Sequence, residues 1–186
     1  MRTIRLLPRM MLALAISFPA IGNGDQTNER LDTLFETLRT SQNEEVLLET
    51  EAEIWDIWHQ SGVAEVDEKM LAAAVLVSSG NLAAAEEIYS EVIEALPAFS
   101  EGWNRRATVR YYQRDFEGSL ADIEETLRLE PRHFGAIWGL GMILGQQRDY
   151  QRAIIAFEKL LEIKPNSQDA RPRIELLKQE LAREAV

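Results

Sequence analysis

Cysteine is absent from the 186 residues. That excludes disulfides, thiolate metal sites and lipid attachment through a cysteine. Histidine occurs only at His59 and His133. Each reads as a capping or surface group rather than a ligand, and Glu53 and Asp56 beside His59 read as a solvated helix face. No glycine-rich phosphate loop follows a strand, because no stretch has a convincing strand pattern. No serine sits at a strand-to-helix elbow. The expectation is therefore no catalytic residue, no metal site, no cofactor and no enzyme activity. Basic residues are scarce in the first half. Residues 23–99 hold 3 basic and 17 acidic side chains, whereas residues 100–186 balance 14 against 14. Phosphate binding needs clustered Lys and Arg, so no nucleic-acid partner is expected. The acidic half serves solubility or offers a face to a basic partner.

A long hydrophobic run is also missing. The longest apolar stretch, Met10 to Ile21, has 12 residues, and a membrane-spanning helix needs roughly 20. Arg2, Arg5 and Arg9 precede it and small residues follow it. Those are the parts of a secretory signal peptide, expected over residues 1–22. The mature chain would then have no membrane span, and its expected place is the periplasm. The whole chain carries a net charge of −11, and removing the three arginines leaves −14.

What is present is a repeat. LRLEPRH at Leu127–His133 recurs as LEIKPNS at Leu161–Ser167. Aligning Pro97, Pro131 and Pro165 gives windows 66–99, 100–133 and 134–167, each 34 residues long. That period suggests two short helices per unit. In the third window Leu140, Gly141 and Leu144 line a first helix. Ala153, Phe157, Leu160 and Leu161 recur at helical spacing in a second. Asp149 is placed to cap the second helix. Each proline ends its unit, because the residue before proline avoids the helical region. Ala85, Ala107, Ser119, Gly141 and Ala153 stand where helices must approach closely.

Trp103, Ala107, Phe116, Ile123, Leu127 and Pro131 resemble the tetratricopeptide repeat pattern. So do Leu140, Gly141, Tyr150, Ala153, Phe157 and Pro165. The first window fits through Gly80, Ala85, Tyr89 and Pro97, but Lys69 replaces the usual aromatic. The resemblance covers about residues 66–184. It implies an all-α fold: helix-turn-helix repeats stacked in a right-handed superhelix, with a concave groove for peptides or proteins. Residues 168–186 read as a capping helix, started by Asn166 or Ser167 and carrying the stripe Ile174, Leu177 and Leu181. Residues 23–65 read as an N-terminal hairpin or degenerate repeat, packed on the first clear unit. Its first helix buries Leu31, Leu34, Phe35 and Leu38. Its second begins at an Asn43 cap and carries Trp55 and Trp58.

The resemblance also implies which residues face the groove. The first window offers Asp67, Met70, Ala74, Val77 and Ser78. The second offers Glu101, Asn104, Thr108, Tyr111 and Tyr112. The third offers Gly135, Trp138, Met142, Gly145 and Gln146. Of these, Met70, Asn104, Thr108, Tyr111, Tyr112, Trp138, Met142 and Gln146 are the candidate peptide-binding set. Aromatic platforms beside amide and hydroxyl groups suit a peptide segment. A cationic clamp for a C-terminal carboxylate is not expected, since Glu101, Gly135 and Gly139 stand at those places. Arg106 and Arg110 depart from the family pattern. Being four apart they share a face, and Glu87, Asp122 or Glu124 could pair with them in an ion-pair lock. The alternative is a guanidinium pair that faces a ligand. Gly141 is expected at a close contact and Gly145 beside room for a ligand. The sequence thus reads as an envelope adaptor for a protein or peptide partner. The alternative is a self-associating protein, with the groove or the Trp-bearing hairpin closing a homodimer.

Overall fold

The computed structural model describes residues 25–184. The expected signal segment lies outside them. Among the described residues there are nine α-helices, one 3-10 turn at Asp25–Thr27 and no strand. A hairpin of α1 (Arg30–Thr40) and α2 (Glu44–Trp58) comes first. Three antiparallel pairs follow: α3 (Ala64–Ser78) with α4 (Leu82–Ala95), α5 (Ser100–Gln113) with α6 (Phe116–Leu129), and α7 (Phe134–Gln146) with α8 (Tyr150–Ile163). Helix α9 (Ala170–Glu184) closes the end against α8. The molecule is an all-helical repeat solenoid. No described helix is long and apolar enough to cross a membrane.

Local chemistry explains the helix ends. The Asn43 side chain accepts from the Glu45 and Val46 amides. Asp115 accepts from Gly118, Asp149 from Arg152, and His133 from Ala136. Each satisfies an amide that a helix start leaves unpaired. Ser167 does this for Ala170 at the start of α9. Leu96, Glu130 and Lys164, each just before a proline, leave the helical region with ψ near 74°, 95° and 75°. Steric pressure from the proline ring enforces that exit.

The close crossings fall on small residues. Ala85, Ser119 and Ala153 are fully buried. At Gly141 a Cβ would lie 2.6 Å from the Phe157 ring, so only glycine admits that phenylalanine. Gly145 is different from expectation. A Cβ there would touch Leu177 of α9 at 3.4 Å, so the end helix, not a ligand, occupies the space beside it.

The hairpin also departs from expectation. Its apolar face does not pack on α3 and α4. Leu31, Phe35, Leu38, Ile54 and Trp58 join one core with Phe134, Ile137, Phe157 and Leu160 of the third pair. Aromatic packing decides the placement. Trp58 stacks on His133 at 4.1 Å and lies 4.9 Å from Phe134. Trp55 meets Phe134 edge-on at 5.1 Å, and Gly135 leaves room for it. Arg132 donates to Asp32 at 2.6 Å, Asn166 donates to the Ser41 carbonyl, and Lys164 pairs with Glu51. The hairpin thus straps the edge where α7 begins and α8 ends.

Candidate binding cleft

Helices α5 and α7 lie side by side and leave a cleft of about 190 Å³ between them. The 34-residue period brings Thr108, Tyr111 and Tyr112 of α5 opposite Trp138 and Met142 of α7. Ala107, Ile123 and Ile143 line its apolar interior. Among the described residues, no charged side chain lines it. Tyr112 is 58% exposed and Thr108 is exposed. Tyr111 packs against Tyr112 and Phe116, both at 5.8 Å. The Gln146 amide donates to the Tyr111 hydroxyl and ties α7 to α5. Trp138 packs edge-on against Phe157 at 5.0 Å and stays half-exposed. Such a wall offers aromatic area with hydroxyl groups, and no charged side chain among the described residues.

Not every candidate reaches this cleft. Met70 is buried in the first pair with Val66, Ala73 and Tyr89. It lines a separate hollow with His59, Leu71 and Arg105. Asn104 does line the cleft, but it is 8% exposed and its amide donates to Glu101 at 2.8 Å. Gly135 lies at the end where Trp55 of the hairpin arrives.

Glu101 is a groove position by resemblance, yet it is wholly buried. Arg105 Nε donates to it at 2.5 Å and His133 Nε2 lies 3.0 Å away. His59 Nε2 lies 3.3 Å from it, beside the Arg105 guanidinium. The Ala136 amide donates to His133 Nδ1 at 3.2 Å, so the ring hydrogen sits on Nε2 and points at Glu101. Burial by itself would push the Glu101 carboxyl up. Hydrogen bonds from His133 and His59 and the charge of Arg105 outweigh it and hold the group far below the usual carboxylate range. The spacing of Glu101, Asn104 and Arg105 shows a local cluster in the sequence. Nothing in the sequence signals that His59 and His133 join it from other elements.

Arg106 and Arg110 do not face the cleft. Asp122, 1% exposed, accepts from Arg106 Nε at 2.9 Å and Nη2 at 2.8 Å, and from Arg110 Nη1 at 2.9 Å. Arg106 also donates to Ser90 at 3.0 Å and Arg110 to Glu86 at 2.8 Å. The network joins α5 to α6 and to α4 on the side away from the cleft.

Two helical pairs in register and a mixed apolar cleft between first helices are the geometry to compare with known proteins. The tetratricopeptide repeat family model matches residues 104–168, which span α5 to α8. A TPR repeat-containing protein of Rhizobium etli is 33% identical over 154 residues, covering 83% of this chain and 76% of the relative. The chain belongs to the tetratricopeptide repeat family. Solved structures share the fold of its repeats. The first tetratricopeptide domain of Spaghetti, bound to an HSP90 peptide, has a TM-score of 0.61 at 19% identity, over 63% of this chain and 93% of that one. The Sgt2 domain from Aspergillus fumigatus gives 0.62 at 21%, over 66% and 83%. The TPR2B domain of yeast Sti1 in complex with an Hsp70 peptide gives 0.59 at 16%, over 63% and 99%.

Proposed function

We propose that this tetratricopeptide repeat protein is an interaction adaptor of the cell envelope. It holds a peptide or protein segment in the cleft between α5 and α7 and does no chemistry on it. The observation that carries the reading is the half-open wall of two aromatic rings and a thioether, Tyr112, Trp138 and Met142, with no charged side chain among the described residues of the lining. Peptides bound to the similar domains of Spaghetti and Sti1 support a protein-interaction role. Arg105 is committed to Glu101, and among the described residues no cation lines the cleft. The segment taken is therefore an uncharged one with an apolar or aromatic side chain, desolvated against the tyrosines. The envelope location rests on the arginines and apolar run of residues 1–22. The Trp-bearing hairpin is poorly placed to close a homodimer, because Trp58 is fully buried and Trp55 partly so.

Crosslinking capture from an envelope fraction tests the reading. Tyr112→Ala and Thr108→Arg alter exposed groups, so both variants keep the fold, which circular dichroism verifies. A partner held by the native protein and lost from both variants supports the cleft. A partner held equally by all three sinks it.

A further inference from the structure

The repeat register exposes a second surface at the opposite end from α9. Val75 of α3 lies one period before Val109 of α5 and two before Ile143 of α7. Val109 and Ile143 are both 0% exposed. The second helix of the preceding pair covers each: α4 packs on Val109 and α6 on Ile143. Val75 is 66% exposed and Leu71, one turn earlier, is 71% exposed. These are the most exposed large apolar side chains among the described residues. Ala72 between them is exposed too. Helix α2 precedes α3 in the chain, but it carries its apolar face to α7 and α8 instead. Among the described residues, no helix covers the stacking position of the first pair, Val75, or Leu71 beside it.

What fits there is a helix, because Val75 stands at the position where α5 and α7 receive one, through Val109 and Ile143, and Leu71 widens the apolar surface beside it. Its charge is also constrained. Glu65 and Glu68 of α3 stand exposed at the start of the face, and Glu87, Glu91 and Glu94 of α4 are exposed nearby in the same pair. The only base of the pair, Lys69, is bound to Glu91 at 2.9 Å and lies 3.9 Å from Glu65. A second copy would bring the same acidic face to itself across a two-fold axis, and like charges would meet. A basic flank would complete the charges instead. We propose that α3 is a second docking surface, separate from the cleft. It takes one amphipathic helix of a partner protein, with an apolar stripe against Leu71 and Val75 and lysine or arginine along its edges. The protein would then hold two partners at once, one in the cleft and one at the open end.

The test uses the purified protein and a labelled synthetic helix of about four turns. Leucines recur on one face of it and lysines flank them. A twin peptide carries glutamate in place of lysine. Fluorescence anisotropy should show the lysine helix binding at least ~10-fold more tightly than its twin, and less tightly as salt rises. Leu71→Ser/Val75→Ser changes only exposed side chains and should leave the melting temperature in place. It should weaken binding at least ~10-fold, since two buried aliphatic contacts are lost. Tyr112→Ala should bind the helix as the native protein does. The proposal is overturned if neither peptide binds, if the serine variant binds equally well, or if Tyr112→Ala removes binding. It is also overturned if sedimentation shows a dimer that the serine variant abolishes, because the occupant is then a second copy. The Tyr112→Ala arm separates failure here from failure of the cleft.

Discussion

Asp122 holds two guanidinium groups with one buried carboxylate. Arg106 and Arg110 bring their own desolvation cost, and the three bonds to Asp122, with Ser90, Glu86, the Gly118 carbonyl and the Trp103 ring, offset it. Removing the carboxylate leaves two half-buried cations side by side. Asp122→Ala should therefore destabilise the protein by about 3–5 kcal/mol, read as a lower urea midpoint with an unchanged slope. A loss below about 1 kcal/mol would mean that water screens the network despite its burial. The four-residue spacing of the arginines made their shared face legible in the sequence. Their partners were only partly legible. Glu87 and Glu124 turn outward, while Glu86 and Asp122 turn in, and a shift of one or two residues in helical phase decides between them. The same limit applies at the cleft. Tyr111, Tyr112 and Trp138 could be placed from the resemblance to the tetratricopeptide repeat pattern, but the burial of Glu101 depends on two histidines from distant elements.

Helices α3 to α8 follow from the sequence because each pair repeats the same local instructions: an apolar stripe, a small residue at the crossing and a terminal proline, to which α6 and α8 add an aspartate cap. The hairpin had no such template. Its stripe of Leu31, Phe35 and Leu38 announces a buried face without saying what covers it. The informative signal was in α7, where Gly135 has no side chain because the Trp55 ring needs the space. A Cβ at 135 would lie 2.7 Å from that ring. Gly135→Leu should therefore displace the strap, at about 1–3 kcal/mol from overpacking. Hydrogen exchange reads the outcome by element. Amides of α1 and α2 should exchange faster, while those of α3 and α4 keep their protection. Equal acceleration in both pairs would show that the hairpin and the first repeat unfold as one unit.

At the scale of the molecule, Glu101 is where the strap and two repeats meet. His59 reaches it from the end of α2, Asn104 and Arg105 from α5, and His133 from the start of α7. The folded protein holds this carboxyl well below its ordinary value of 4.5, so the unfolded chain takes up the proton more readily. Acid therefore favours unfolding. The stability tied to Glu101 is fully present above about pH 4.5 and is lost progressively as pH falls below it. Glu101→Gln keeps the shape and cannot ionise. It should lower stability at pH 7, because Arg105 loses its buried counter-charge. It should also flatten the fall in stability between pH 5 and pH 3, measured as urea midpoints across that range. The two proteins should thus differ most at neutral pH and converge in acid. Parallel curves would mean that other carboxylates carry the acid sensitivity. Convergence would identify Glu101, the carboxylate at the joint between strap and repeats, as a carrier of the acid sensitivity.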